Sequence, residues 1–259
     1  MTEPVTQGHV IRSEWIKLRS VRSSWFVLAA TVLAVAGIGL LVTYVNHAHW
    51  ATMSAAARAD IDPLNQSMIG VDLAQLTVGV LGVLLAAGEY GNGMIRATFA
   101  AVPRRSPVLV AKACVLAAVT FAVCLVAVLI TFAGGQAVFG SAGGFGGGAE
   151  AVRVVLGATL YLTVVGVLGV GLGFLIRSTA GGIATLLGLL LVLPILLAAL
   201  PGRFSGTLGE YLPSTAGRAL FVNYGSDPAL APWTGFGVFL LYAVVALGAA
   251  ALVLRRRDA

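Results

Sequence analysis

Long apolar runs without charge dominate the chain, and short polar segments separate them. Six runs are long enough to cross a bilayer as helices, because a helical crossing needs about 20 predominantly apolar residues. The runs cover residues 25–45, 69–88, 108–133, 154–176, 182–200 and 233–254. The pattern therefore predicts an all-α membrane protein with six transmembrane helices.

The composition agrees with this interpretation. Of the 259 residues, 59% are hydrophobic and only 10% are charged, which excludes a soluble globule and a disordered chain. Six crossings of about 20 residues use roughly half of the chain, so only short connections remain. We therefore expect residues 1–259 to form a single transmembrane domain, without room for a soluble catalytic domain of ordinary size.

Basic residues are divided unevenly between the two sides of the predicted bundle. If the amino terminus is cytoplasmic, twelve of the 16 lysines and arginines lie inside and four outside, giving net charges of +8 and −2. Cytoplasmic loops are enriched in lysine and arginine. The charges thus predict a multi-pass protein of the cytoplasmic membrane with both termini inside. The basic clusters are explained by topology, and we expect no nucleic-acid partner.

The segment before the first predicted span is amphipathic. Residues 10–22 read VIRSEWIKLRSVR, with Ile11, Trp15 and Leu18 on one helical face at i, i+4 and i+7. Such a helix lies along the membrane with its apolar face at the headgroup boundary. We predict an N-terminal interfacial helix in contact with lipid, and the alternative is a simple anchor for the first span.

The inner segment between the second and third predicted spans is too long for a simple turn. It covers residues 89–107, and its part 94–102 favours a short helix that ends before Pro103. An apolar patch on a cytoplasmic surface is typical of a docking site for a partner protein. The side chains expected in such a patch are Met94, Ile95, Phe99 and Val102. The alternative is that this helix packs beneath the bundle.

The chemistry of several other protein classes is missing. No ionisable residue lies at the centre of a predicted span, which disfavours an ion-coupled carrier. The two lysines do not follow the G-x-x-x-x-G spacing of an ATP-binding loop, so we expect no ATPase site on this chain. Lys112 lies near the inner end of the third span, where its side chain is expected to extend to the headgroups. The histidines and cysteines indicate no metal site.

Two features concern helix packing. Pro194 predicts a kink in the fifth span. Gly169 and Gly173 form a pair of small residues four positions apart in the fourth span, which favours close approach of another helix. The sequence leaves open whether that helix belongs to the same chain or to another subunit.

Three segments together resemble the permease subunits of ABC-2 type exporters, particularly actinobacterial ones. They read SEWIKLRSVR before the first span, EYGNGMIRATFAAVPRR between the second and third spans, and LRRRDA at the end. The stretches IRSTAGG at 176–182 and YLPSTAG at 211–217 are also similar to this family. The resemblance covers almost the whole chain and rests on the order and spacing of these segments.

The resemblance implies a permease that forms a homodimer with a second copy and binds two separate nucleotide-binding ATPase subunits, which carry ATP and Mg²⁺. It implies that the amphipathic helix with Ile11, Trp15 and Leu18 is a connecting element. It also implies that residues 89–107 contain the coupling helix that contacts the ATPase, and that residues 201–232 form an outer cap. The matching coupling residues are Glu89, Met94, Ile95, Arg96, Thr98 and Phe99.

The resemblance implies export across the cytoplasmic membrane by alternating access, and the apolar spans with few polar groups favour a hydrophobic or amphipathic cargo. A drug, a peptide antibiotic or a lipid-like molecule would fit. The sequence indicates no substrate-binding residues. An ion-coupled secondary transporter and a non-transporting immunity or scaffold protein are the alternatives.

Overall fold

The computed structural model describes residues 6–54, 58, 62–102, 105–139, 148–199, 208–222 and 230–256. Within these ranges the chain forms helices and no strands. Six of these helical segments are long and apolar enough to cross a membrane. The predicted fold class, an all-α membrane protein with six spans, is confirmed.

The first two helices meet at a bend. Helix α1, Gln7–Ser20, ends at Val21, whose extended backbone leads directly into α2. The indole Nε1 of Trp25 donates a hydrogen bond to the carbonyl oxygen of Arg19 at 3.0 Å, which holds the two helices at this bend. Helix α2, Arg22–Trp50, is the first span.

The second span, Pro63–Gly91, begins with one short helix and is followed by another. Helix α3, Pro63–Ser67, begins with a proline, and the Asp62 carboxylate accepts hydrogen bonds from its first free amides. Helix α4, Gly70–Gly91, forms most of the crossing. Helix α5, Met94–Ala101, follows Gly93, which has a φ of 74°. Glycine adopts this left-handed conformation without steric cost, so it allows the sharp turn between α4 and α5.

The remaining four spans are α6, α7, α8 and α10. Their bounds are Ser106–Phe139, Gly148–Ile176, Thr179–Ala198 and Pro232–Arg256. The short helix α9, Pro213–Arg218, lies between the last two spans. Five of the six predicted runs fall inside the corresponding span, whereas α8 ends two residues before the predicted end of the fifth run.

Successive spans alternate in direction, so α1, α5 and the end of α10 lie at one end of the bundle, which we call the α1 end. One apolar cluster joins Val10 and Leu18 of α1 with Phe99 of α5 and Leu254 of α10. The opposite end carries α3 and α9. There, Arg218 of α9 forms an ion pair with Asp72 of α4.

Helix α7 is the most buried span and packs along α4. This contact is close because glycines face each other: a Cβ atom at Gly169 would overlap the carbonyl oxygen of Gly79, and one at Gly82 would overlap that of Gly166. A Cβ atom at Gly173 would lie 2.7 Å from the Cβ of Ala86. The structure therefore places Gly169 and Gly173 against another helix of the same chain.

Two spans contain π-helical sections near the middle of the membrane. In α2 the section is Leu33–Ile38, and the hydroxyl of Thr131 on α6 donates to the carbonyl oxygen of Val35 at 3.3 Å. In α8 the section is Gly188–Val192, directly before Pro194. Proline lacks an amide hydrogen and clashes with a preceding carbonyl, and the wider π-helical turn accommodates both effects. The structure thus has a π-helical section shortly before Pro194, where the sequence predicts a kink.

Parts of the predicted segments lie outside the described residues. They are residues 103 and 104 of the segment 89–107, residue 200 of the fifth run, and residues 201–207 and 223–229 of the segment 201–232.

Candidate functional site

Four charged side chains meet at the α1 end and connect three helices. Glu14 and Lys17 come from α1, Glu89 from the end of α4, and Lys112 from the start of α6. Lys112 Nζ lies 2.5 Å from Glu14 Oε2 and 3.0 Å from Glu89 Oε1. Lys17 Nζ lies 2.7 Å from Glu14 Oε1 and 3.0 Å from Glu89 Oε1. Each lysine bridges both glutamates, and we call this arrangement the ion cluster.

The ion cluster is largely shielded from solvent. Glu14, Glu89 and Lys112 are buried, while the Lys17 side chain is 28% exposed. Burial by itself lowers the pKa of Lys17, but the hydrogen bonds and negative charges of Glu14 and Glu89 outweigh it and hold the pKa above its ordinary value of 10.5. The cluster is therefore a neutral set of two cations and two anions that stabilise one another.

The Lys112 side chain does not extend to the headgroups as the sequence analysis expected. It points into the protein, because two carboxylates there compensate for the loss of hydration. Glu14 was not among the expected site residues. A signal for it exists in the sequence: Val10, Glu14 and Leu18 are spaced four residues apart, so a carboxylate lies on the same helical face as two apolar side chains.

The buried face of α1 is not the apolar face predicted from Ile11, Trp15 and Leu18. Leu18 is buried, as are Val10 and Glu14, whereas Ile11 and Trp15 are exposed at 37% and 43%. Helix α1 thus presents two apolar faces: one packs against the bundle, and the other, with Ile11 and Trp15, is open to the surroundings.

Helix α5 is attached to the bundle by its apolar side chains. Ile95 and Phe99 were expected in an exposed patch, but both are buried in the cluster with Val10 and Leu254. Thr98 joins α5 to the ion cluster, because Lys17 Nζ donates to its Oγ1 at 3.2 Å. The apolar ends of α1, α6 and α10 cover this face of α5, so these side chains do not form a free surface.

The opposite face of α5 is exposed. Met94 is 46% exposed, and Arg96, Ala97 and Ala100 are exposed beside it. Among the expected coupling residues, Met94 and Arg96 therefore face outward, while Glu89, Ile95, Thr98 and Phe99 face the bundle. One short helix presents an open face on one side and contacts the ion cluster on the other.

A cavity of about 280 Å³ lies beside the ion cluster, between α1, α2, α4 and α6. Its walls are mainly apolar, with Val27 of α2 and Leu81 and Leu85 of α4 among them. Close-packed interiors resist movement of their side chains. The cavity therefore leaves one side of the ion cluster without close packing.

The described residues contain no group of three or more histidine, cysteine, aspartate or glutamate side chains that could hold a metal ion. Cys114 and Cys124 are both free thiols, the first exposed and the second buried.

Comparison with family models matches residues 10–195 to a family described as ABC-2 family transporter protein. The matched region includes the ion cluster, α5, Gly169 and Gly173, and ends within α8. A search of curated proteins finds no match.

Proposed function

This chain belongs to the ABC-2 family of transporter proteins and is a membrane component of an ABC transporter, and on that basis we propose that it is the permease subunit of an exporter driven by a separate ATPase. ATP and Mg²⁺ would bind to the ATPase subunit. The cargo would be a hydrophobic or amphipathic molecule, and it would cross by alternating access. The α1 end would face the cytoplasm.

The observation that carries this proposal is the two-sided environment of α5. Its outward face, with Met94, Arg96, Ala97 and Ala100, is accessible to a partner protein. Its inward face is fixed by Ile95 and Phe99, so α5 moves together with its apolar surroundings. A displacement of α5 by an ATPase subunit would therefore be transmitted to the bundle instead of being absorbed by a flexible loop.

The ion cluster supports the same proposal because it connects α5 to three other helices. Lys17 contacts Thr98 of α5, Glu14 of α1 and Glu89 of α4, while Lys112 brings in α6. A cavity lies beside these ion pairs, so a movement of one helix would not have to displace a close-packed core on that side. Such a set of contacts suits a transition between two arrangements of the helices.

The surfaces of the spans support a homodimer that carries an apolar cargo. Helix α8 is the least buried span, and its large exposed side chains, Leu191, Val192, Ile195 and Leu196, are apolar. Two copies that meet near this surface would enclose a path with few polar groups, which suits a drug, a peptide antibiotic or a lipid-like molecule.

The proposal is tested by co-purification of the full-length chain from membranes of its native host. The parent protein should bring down a polypeptide with an ATP-binding loop and ATPase activity. Arg96→Glu and Ala97→Asp change only the exposed face of α5, so both should greatly reduce the amount of ATPase recovered while the permease remains folded. Arg256→Glu is the matched control, because Arg256 is an exposed arginine in the last turn of α10 at the same end.

Retention of the ATPase by both α5 variants would overturn the assignment of the docking surface. Absence of any ATPase from the parent complex would overturn the proposed function itself. In that case, transport that needs an ion gradient but no nucleotide would indicate a secondary transporter, and ligand binding without transport would indicate an immunity or scaffold protein.

A further inference from the structure

Arg105 contacts both α5 and α10, and of these two helices the ion cluster contacts only α5. Arg105 follows α5 and directly precedes α6. Its guanidinium carbon lies 5.3 Å from the centroid of the Phe99 ring, and its Nη1 donates a hydrogen bond to the carbonyl oxygen of Leu254 at 3.2 Å. One side chain therefore bridges the coupling region and the last turn of α10.

Both contacts match the chemistry of arginine. The carbonyl groups in the last turn of a helix have no partner in the helix and carry the negative end of its dipole, so a cation there is favourable. The planar guanidinium also interacts with an aromatic face at this separation. Phe99 of α5 is itself buried with Leu254 of α10 in one apolar cluster. Arg105 therefore adds a second connection between these two helices, from the segment that precedes α6.

Because α10 packs against the centre of the bundle, the Arg105 bridge between α5 and α10 can transmit a movement of α5 to that centre. In the described part of the chain, the ion pairs of the cluster connect α1, α4 and α6 and do not extend to α10. Helix α10 packs against α7, the most buried span. A displacement of α10 would therefore reach the centre of the bundle by a second route.

We infer that Arg105 is a positioning residue that makes the α1 end of α10 follow α5 when the ATPase moves α5. This inference rests on the proposed function and adds a second path of transmission to it. The first path runs through Lys17 and the ion cluster to α1 and, across the bend at Trp25, to α2. The second runs through Arg105 to α10.

The experiment uses the full-length permease with its ATPase subunit in lipid nanodiscs. Cys114→Ala and Cys124→Ala remove the native thiols, and one reporter cysteine is introduced at the opposite end of α10 by Trp233→Cys or of α2 by Tyr44→Cys. Both native side chains are well exposed, at 67% and 65%. The rate of labelling by a water-soluble maleimide is compared without nucleotide and after trapping with ATP and vanadate.

In the parent protein, trapping should change the labelling rate at both reporters. Arg105→Gln should strongly reduce the change on α10, where only the apolar contact of Leu254 with α5 remains, and leave the change on α2, which also shows that this variant is folded and coupled. Arg105→Lys keeps the positive charge but makes a less extended contact, so it should give an intermediate change on α10. Arg256→Gln is the control and should behave like the parent.

Each other outcome has a distinct meaning. If the labelling rate on α10 changes in Arg105→Gln as it does in the parent, the inference is overturned while the proposed function stands. The same holds if trapping changes the labelling rate of the parent on α2 but not on α10. Loss of both responses in Arg105→Gln also overturns the inference, because Arg105 would then support the whole α1 end without selecting α10. No response at either reporter in the parent overturns the proposed function together with this inference.

Discussion

Lys112 lies close to the end of a span, yet its ammonium points into the protein toward two glutamates. Removing one member of such a cluster leaves a buried charge without compensation, which costs more than the intact pairs contribute. Lys112 is more buried than Lys17, so it should be the lysine whose loss the fold tolerates least.

Lys112→Met tests this account of the ion cluster. The substitution leaves Glu14 and Glu89 with Lys17 alone, and we expect the free energy of unfolding to fall by about 3–5 kcal/mol. The double variant Lys112→Met with Glu14→Gln restores neutrality and should recover part of the loss. Denaturant unfolding in detergent micelles measures both. A stability of Lys112→Met equal to that of the parent would contradict the account.

Arg177 is the one non-glycine residue with a positive φ among the described residues, at 58°. It connects α7 to α8, and its guanidinium lies 5.3 Å from the ring centroid of Tyr90, next to Glu89. The left-handed conformation is costly for a residue with a Cβ atom. The contact with Tyr90 is one interaction that this conformation places within reach of the guanidinium.

Two variants of Arg177 separate the steric cost of the positive φ from the contact with Tyr90. Arg177→Ala and Arg177→Gly both remove the contact with Tyr90, but only glycine adopts the positive φ without steric cost. We expect the glycine variant to be more stable than the alanine variant by about 1–2 kcal/mol. Thermal unfolding of the two purified proteins under one set of conditions provides the measurement, and an alanine variant as stable as the glycine variant would refute the assigned strain.

At the scale of helices, the contact between α4 and α7 depends on glycines of both helices. A methyl group at Gly169 would meet the backbone of Gly79 and Gly82, which cannot move aside as a side chain can. The two central spans would have to separate along their length, and the other helices that pack on α7 would shift with them.

Gly169→Ala should therefore lower the free energy of unfolding by about 1–3 kcal/mol, as expected for overpacking of a close contact. Gly248→Ala is the matched control, because no atom lies within 4 Å of a Cβ built at Gly248 in α10. Alanine favours the helix over glycine, so the control should be neutral or slightly stabilising. Equal effects of the two substitutions would argue against the proposed close packing.

The six spans could be predicted because a lipid-facing helix has to satisfy its backbone internally and be apolar along its length. The residues at which the spans end could not be predicted in the same way. Helix α6 continues past the predicted end at residue 133 through two glycines to Phe139, whose ring packs edge-on against His47 and Trp50 of α2. That extension depends on a partner more than 80 residues away along the chain.

The inward faces of α1 and α5 could be predicted only in part. Both helices carry apolar side chains on more than one face, so periodicity alone does not decide which face is buried. The ends of α6 and α10 decide it, because they cover Ile95, Phe99 and Leu18 and leave Ile11, Trp15 and Met94 outside. The pairing of Glu14 with Lys112 joins residues 98 positions apart, which no local pattern indicates.

At the scale of the whole molecule, the two ends of the bundle are held by different contacts. The α1 end is joined by the ion cluster and by Arg105. The opposite end is joined by the Arg218–Asp72 pair and by Tyr161, whose buried hydroxyl donates to Gln75 Oε1 at 2.5 Å. Among these contacts, α5 takes part only in those of the α1 end. We therefore expect a force on α5 to reach the α1 end before the opposite end.

The exposed face of α5 is the proposed docking surface for an ATPase subunit, and site-specific photocrosslinking shows which polypeptide lies against it. A benzophenone side chain placed at Ala97 or Ala100 in the full-length chain should form an adduct with a polypeptide that carries an ATP-binding loop, identified by mass spectrometry. The same group at Trp233, at the opposite end of α10, should form none. Failure of both α5 positions to capture an ATP-binding polypeptide, or its capture only from Trp233, would contradict the account.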